Sequence, residues 1–374
     1  MGDNLDRKTI VISAVNFFEG GPLTILKNSL IYTNQFLSAE YKIIALVHKI
    51  DLFEVDALPN ITFLEYPKSR NSYFRRLYLE YHYFNTLSKR WKPYLWFSLH
   101  DISPNVDAEI RAVYCHNASP FKSVSTSDLF FQPILFFFTL FYKLLYRINI
   151  KKNNYVVVQQ NWLKNEFLSM FQINTEKLLV CYPVITTKNS VVKGESCNMK
   201  KDIFTFFYPA LARPFKNFEV IGEAVKLLNK NGLYKFRVVI TIEGNENNYA
   251  KFIHKKYGHL EQINFIGILS FDKVQECYAT ADALLFPSTL ETWGLPITEF
   301  KSYEKPILLS KLPYAYETLG EYDKGSFFDP LNPNELAEKM KEVMIGSIEY
   351  DLTSVSENMV LKGWSELFNK ILEK

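Results

Sequence analysis

Short apolar runs alternate with longer amphipathic segments along almost the whole of this 374-residue chain. The apolar runs predict strands over Thr9–Val15, Tyr41–Val47, Ile61–Glu65, Leu95–Leu99, Tyr155–Gln159, Ile203–Tyr208, Phe236–Thr241, Ala283–Phe286 and Pro306–Leu309. Between them, helical spacing of apolar positions predicts helices near Leu23–Leu37, Ser72–Lys89, Leu163–Phe171, Phe218–Asn229, Lys273–Ala279 and Asn334–Met344. Strands that alternate with helices build parallel sheets covered on both faces, so the fold class is α/β with two such sheets in tandem. The apolar rhythm lapses in "VITTKNSVVKGESCNMKKD", Val184 to Asp202. That lapse divides the chain into a first domain over 1–184 and a second over 185–352. A last segment over 353–374 contains an amphipathic helix, Ser356–Lys374, whose apolar side holds Val360, Leu361, Trp364, Leu367, Phe368 and Ile371. A face that apolar must pack on something.

Length agrees with this division, because 374 residues exceed one ordinary core. A hydrophobic content of 48% with 22% charged residues describes a folded chain, not a disordered one. The net charge of +3 hides an asymmetry: residues 1–193 hold 22 Lys and Arg against 15 Asp and Glu, and the remainder 21 against 25. A basic first half suits an anionic surface or substrate, or is simply solvated lysine. The cations are dispersed, which argues against nucleic acid. Cys115, Cys181, Cys197 and Cys277 form no C-x-x-C pair, which fits a reduced, cytoplasmic protein without a zinc site. The chain opens on charged residues and a strand, with no signal peptide or leading anchor in view. In "FFQPILFFFTLFYKLLYRINIKK", Phe130 to Lys152, the uncharged part falls short of the ~20 residues that span a bilayer. It reads either as an interfacial helix on anionic lipid, with Lys143, Arg147, Lys151 and Lys152 at its border, or as a core helix of the first domain.

Ligands of open parallel sheets bind at the carboxyl ends of the strands, and five unusual turns fall there. They are Glu19-Gly20-Gly21-Pro22, His100-Asp101, His116-Asn117, the Arg213 to Lys216 turn, and "FPSTLETWGLPITEF" from Phe286 to Phe300. In the last, Gly294-Leu295-Pro296 starts a helix whose free N–H groups suit a diphosphate. Arg213 or Lys216 would add charge-assisted hydrogen bonds to it. Glu299, one turn into the helix, would accept from a ligand diol, and Glu291 from another part of the same ligand. An acid in a first helical turn is also favoured by the helix dipole with no ligand at all.

"INFIGILSFDKVQECYATADALLFPSTLETWGLPITEFKSYEKPILLS", Ile263 to Ser310, resembles the donor-binding core of the family 4 retaining glycosyltransferases. Glu291 and Glu299 match that family's E-x7-E motif with G-L-P intact between them, and Gly267, Asp282 and Pro287-Ser288 match its upstream positions. The resemblance implies the GT-B fold, in which two Rossmann-like domains face a cleft, the first for the acceptor and the second for a nucleotide-sugar donor. It implies that the terminal helix crosses back onto the first domain. Glu299 would hold the ribose, Glu291 the donor sugar, and the N–H groups around Gly294 and Leu295 the diphosphate. Lys216 in "KNF" matches the lysine of the family's basic pair; Pro209-Ala210-Leu211 replaces the usual G-R-L and shifts Arg213. Gly20 and Gly21 resemble the family's glycine-rich loop, and His116 its cleft histidine, with a buried structural histidine as the other reading. His100 and Asp101 either line the acceptor pocket, together with Asn117, or Asp101 caps the stretch of chain after it.

The resemblance implies transfer of a hexose with retention of configuration to a glycan or lipid-linked acceptor, in bacterial surface polysaccharide synthesis. It also implies contact with the inner face of the plasma membrane. No D-x-D motif occurs, so no metal or other cofactor is expected and Lys216, Arg213 and the helix start would steady the leaving diphosphate. A nucleotide-sugar epimerase of the same fold and a non-catalytic nucleotide-sugar binder are the alternatives. A glycosidase is disfavoured because it needs its carboxylates about 5–9.5 Å apart.

Overall fold

The computed structural model describes residues 7–121, 141–183, 203–353 and 360–372. They fall into two compact units, the first from 7–121, 141–183 and 360–372, the second from 203–353. The first unit holds an eight-stranded sheet in the order β14-β7-β6-β5-β4-β1-β2-β3. Its strands are β1 (Lys8–Ala14), β2 (Tyr41–Val47), β3 (Ile61–Glu65), β4 (Leu95–Ser98), β5 (Ile110–Cys115), β6 (Tyr155–Val158), β7 (Leu178–Tyr182) and β14 (Leu361–Lys362). Every pairing is parallel. The crossovers include α1 (Gly20–Tyr32), α2 (Tyr73–Tyr78), α3 (Phe84–Trp91), a helix over 141–147, and α4 (Asn161–Phe171).

The second unit holds β8 (Phe204–Tyr208), β9 (Phe236–Ile240), β10 (Ile263–Phe265), β11 (Ala283–Phe286), β12 (Ile307–Ser310) and β13 (Gly325–Phe328) in the order β10-β9-β8-β11-β12-β13. Its helices are α5 (Phe218–Lys230), α6 (Asn248–Tyr257), α7 (Phe271–Thr280), α8 (Leu295–Lys301), α9 (Pro313–Leu319) and α10 (Pro333–Ile345). In each sheet the strand order reverses once, between β1 and β4 in the first and between β8 and β11 in the second. A reversal sends the two adjacent crossovers to opposite faces and leaves a crevice at the carboxyl ends of those strands. The α/β reading and its doubly wound sheets are thus observed.

Burial explains the unbroken apolar runs. Leu284, Leu285 and Phe286 of β11 and Phe206, Phe207 and Tyr208 of β8 are all inaccessible, as strands covered on both faces require. The terminal helix α11 (Gly363–Ile371) belongs to the first unit, where Leu367, Phe368 and Ile371 join the core of β1, β2 and β4. Phe368 stacks on Tyr32 at 5.7 Å. Each such side chain contributes about 1.5–3 kcal/mol by burial. The helix is shorter than the sequence pattern suggests, because Leu361 pairs with Cys181 as an edge strand and Gly363, at φ 78°, turns the chain into the helix. The Ser72–Lys89 helix is also three pieces, with a π-helical turn over Leu79–Tyr83 that turns Glu80 into the core.

Candidate active site

In the second unit, the loops leaving β8 and β11 flank the reversal point and are tied to each other. The Phe215 carbonyl accepts from the Thr289 N–H at 2.7 Å and from the Ser288 hydroxyl at 3.2 Å. Asn217, left-handed at φ 56°, donates its amide to the carbonyls of Pro287 at 3.2 Å and Pro330 at 2.8 Å. The Tyr208 hydroxyl donates to the Lys216 carbonyl at 2.9 Å. Lys216 therefore stands on a braced single turn, Pro214–Lys216, and its ammonium is in direct contact with the Glu291 carboxylate. The two side chains are only 16% and 14% exposed. Arg213, exposed, sits in extended backbone just before that turn.

Glu291 begins the bend that leads to Gly294, which takes φ 89° and starts α8 at Leu295. Trp293 secures the bend: its indole N–H donates to Thr298 at 2.9 Å and its carbonyl accepts from the Thr318 hydroxyl. A Cβ on Gly294 would meet Ile297 Cδ1 at 3.0 Å and push that side chain by a few tenths of an ångström, and the left-handed φ is what favours glycine. Glu299 follows one turn later, and its Oε2 accepts from the Tyr278 hydroxyl at 2.9 Å. Burial raises the Glu299 pKa, and the Tyr278 hydrogen bond opposes that rise. Gly267, at φ 74°, follows β10 and is tied to the Ile242 carbonyl at 3.3 Å. Lys216 and Glu291 are thus brought into contact, with Glu299 on the adjoining helix.

In the first unit, Gly20 and Gly21 open α1, with Gly20 exposed at φ 66°. His116 follows β5, stacked on Tyr114 at 4.4 Å and edge-on to Phe17 at 5.6 Å. Burial drives its pKa down to about 4, against the opposing pull of Asp101, so the ring is neutral at neutral pH. Its Nε2 is buried without a hydrogen-bond partner among the described residues. Asp101 is a buried hub at φ 72°. Its carboxylate accepts from the N–H groups of His116 at 2.6 Å and Asn117 at 3.0 Å, and from the hydroxyls of Tyr142 at 3.1 Å and Tyr146 at 2.9 Å. The Asp101 carboxylate fastens the loop after β5, and not the stretch of chain directly after Asp101 that the sequence reading has it cap. His100 is fully buried, against Ser13 at 3.2 Å, the Arg76 guanidinium at 3.2 Å and Glu80 at 3.3 Å. An acceptor-facing His100 is corrected accordingly, since a side chain with no accessible surface presents nothing to a ligand. Asn117 turns its own side chain to the Ser119 N–H at 2.9 Å.

Sequence reasoning passed over Tyr278, Asn217, Arg76 and Glu80. Tyr278 lies on the buried side of α7, where an aromatic reads as core, and Glu80 is hidden by the π-helical turn. Among the described residues no cluster of three or more His, Cys, Asp or Glu is placed to hold a metal ion. No helix among them is long and apolar enough to cross a membrane.

The family of glycosyl transferases group 1 matches residues 180–354, which include every second-unit residue named above. That segment is a group 1 glycosyl transferase domain. The chain is 23% identical over 233 residues to the O-antigen chain mannosyltransferase RfbU of Salmonella typhimurium, a match spanning 61% of each chain. Among solved structures, a glycosyltransferase from Rickettsia africae superposes with a TM-score of 0.64 at 16% identity, covering 91% of this chain and 89% of that one. HepE from Anabaena, in complex with UDP-glucose, superposes with a TM-score of 0.60 at 12% identity, covering 91% and 90%. The fold is GT-B, and the resemblance read from the E-x7-E segment is borne out at the level of the family.

Proposed function

We propose that this chain is a glycosyltransferase that moves a hexose from a nucleoside-diphosphate sugar to a glycan or lipid-linked acceptor in surface polysaccharide assembly. The reading includes retention of configuration and no metal. The observation that carries it is the contact of Lys216 with Glu291 at the reversal point of the second sheet, with Glu299 one turn into the helix that follows the Glu291 bend. RfbU, a mannosyltransferase by name, and HepE, bound to UDP-glucose, support a hexose and a nucleotide sugar.

In this reaction the bond between the anomeric carbon and the diphosphate oxygen breaks, leaving negative charge on oxygen and positive charge on the sugar. Lys216, on its braced turn, supplies a fixed positive charge for that oxygen, with Arg213 free to reach the same diphosphate. Glu299 accepts from the ribose hydroxyls and Glu291 from hydroxyls of the sugar. His116 of the first unit, being neutral, can offer a dipole but no cation. The acceptor hydroxyl attacks the face the diphosphate leaves and gives its proton to the departing phosphate oxygen, so retention needs no covalent enzyme intermediate. The protein acts in the cytoplasm, meeting lipid-linked acceptors at the membrane face.

A thermal-shift series with UDP, GDP, ADP and dTDP sugars, in EDTA, tests the reading. A donor at 100 times its dissociation constant adds about 2.7 kcal/mol of stability. The expected result is a shift with one nucleotide class that disappears in Glu299→Ala. Nucleoside diphosphate then appears only when acceptor is added. An isomerised sugar nucleotide formed without acceptor would assign the site to an epimerase.

A further inference from the structure

The first unit carries a pocket of about 660 Å³ that lies apart from the crevice at the carboxyl ends of its strands. One wall is the second half of α1 with the π-helical turn Thr33–Leu37 that continues it. The other is the β2–β3 connection, which holds the short turns Ile50–Leu52 and Val55–Ala57. Because α1 starts at the carboxyl end of β1, the lining residues Lys27 and Ser38 stand roughly 10 and 27 Å along the helix from the Gly20 turn. Asn60, also in the lining, directly precedes β3, so the pocket extends towards the amino ends of the strands. Its walls are braced. The Ala57 N–H donates to the Glu54 carbonyl at 3.0 Å and the Leu58 N–H to the Val55 carbonyl at 2.9 Å. The Asn60 N–H donates to Asn34 Oδ1 at 3.0 Å and so joins one wall to the other. Phe53, tilted against Phe63 at 5.5 Å, and Leu58 are buried beneath.

Phe53, Leu58, Ala57 and the half-exposed Ile31 give this pocket an apolar floor. Around it stand the amides of Asn34 and Gln35, the Lys27 ammonium and the Glu54 carboxylate. The side chains of Lys27, Gln35 and Glu54 make no hydrogen bond or ion pair with a described residue, and the Asn34 amide nitrogen donates to none. One cation and one anion cancel, so the lining selects neither a phosphate nor a polycation. Each amide sets a donor beside an acceptor, which is the pattern that neighbouring hydroxyls answer. A pyranose brings the rest: hydroxyls around its edge and a C–H face for the apolar floor. Small-molecule pockets of about 300–1,000 Å³ are built in this way, mostly apolar with a few placed polar groups. At about 660 Å³ this one has room for more than a single sugar ring. We propose that the pocket is a saccharide site, separate from the reacting centre, that holds a short stretch of an uncharged glycan. Its use, gripping the glycan away from the end being extended, rests on the transferase reading. The site itself rests on its lining.

Saturation-transfer NMR on the full chain, with neutral trisaccharides of mannose, glucose and galactose at about 10 mM, reads binding in the millimolar range. Wild type is expected to bind at least one of them. Ala57→Trp, which puts an indole into the pocket from an exposed position, is expected to abolish the signal. Gln35→Ala with Lys27→Ala, both exposed, is expected to raise Kd at least about fivefold at an unchanged Tm, so that the result does not depend on how the tryptophan is accommodated. A wild type that binds none of the trisaccharides overturns the proposal. So does binding that survives either variant, which would put the sugar elsewhere, or stronger binding of sialyllactose than of the neutral sugars, which would make the ligand an anion. The nucleotide thermal shift is read on the same samples. A shift without trisaccharide binding removes this site alone, and trisaccharide binding without any nucleotide shift removes the transferase reading alone.

Discussion

Removing the ammonium in Lys216→Ala does two things that separate experiments resolve. It deletes the fixed charge proposed to meet the leaving diphosphate, and it strips Glu291 of its partner. The first effect is expected to lower turnover about 100-fold, near 3 kcal/mol of barrier, as loss of one oxyanion donor commonly does. The second is a stability effect set by exposure. At 16% and 14% the pair lies between exposed ion pairs, worth ~0.2–1 kcal/mol, and fully buried ones, where removing one partner costs ~3–5 kcal/mol. Lys216→Ala is therefore expected to destabilise the second unit by ~1–3 kcal/mol, and Lys216→Ala with Glu291→Gln by less than the sum of the singles, because the double leaves no orphaned charge. Urea unfolding of the four proteins gives the coupling, and nucleoside diphosphate release at saturating donor with acceptor present gives turnover. Unaltered turnover in Lys216→Ala would remove the lysine from the mechanism. Strictly additive stabilities would mean that the contact contributes nothing to the folded site.

Tyr278→Phe leaves the largely buried Glu299 without its donor; the expected cost is ~1–3 kcal/mol of stability, and the carboxyl's pKa moves further up. Nucleotide binding, which uses the ionised form, should then fail at a higher pH than in wild type; titration of affinity against pH checks this, and superimposable profiles would refute it. Burial lifts Glu80 to about 8, with Arg76 opposing. A carboxyl raised above its unfolded value contributes stability that is fully present below that value and lost as pH rises through about 8, so wild type should lose stability between about pH 6 and about pH 9 while Glu80→Gln should lose less. Denaturation midpoints at the two pH values decide it. Gly294→Ala forces an L-residue into φ 89° with its Cβ 3.0 Å from Ile297; a cost of about 1–2 kcal/mol and weaker nucleotide affinity are expected, and a wild-type melting temperature would refute the strain.

Strands buried on both faces were legible where their apolar runs are unbroken, since Tyr41–Val47 and Ala283–Phe286 form within the limits those runs predict, as does the more exposed edge strand Ile61–Glu65. Strands β10 and β13, three and four residues long, carry too little pattern to be separated from loop, and both lie at edges of their sheet. The helix over 72–89 reads as continuous because apolar spacing does not register a π-helical turn, which shifts Glu80 inward without altering composition. At the site, Glu291, Glu299 and the Gly294 bend are legible because their spacing is local. Tyr278 is not, because its partner stands 21 residues away and is chosen by the packing of α7 against α8. Asp101 was only half legible. Asp tolerates a left-handed backbone, but that it would close on His116 and Asn117 depends on β4 and β5 being neighbours in the sheet.

The two glutamates are held differently, and on the proposed mechanism the difference has a use. Among the described residues Glu299 receives a single neutral hydrogen bond, from a fully buried phenol, which fixes its direction without satisfying both oxygens. A carboxylate so placed keeps acceptor capacity for a diol. Glu291 is instead matched with a cation whose backbone is held by the Tyr208 hydroxyl, so that only the ammonium need shift. An arriving diphosphate competes for that cation, and as Lys216 turns towards it, Glu291 recovers the acceptor capacity that the sugar hydroxyls need. The ion pair would then couple the two halves of the donor: diphosphate without sugar leaves Glu291 unpaired, and sugar without diphosphate finds Glu291 occupied. Free hexose should therefore bind far more weakly than its share of the contacts implies. Glu291→Gln, which cannot form the ion pair, should lose part of the affinity difference between the sugar nucleotide and the bare nucleoside diphosphate.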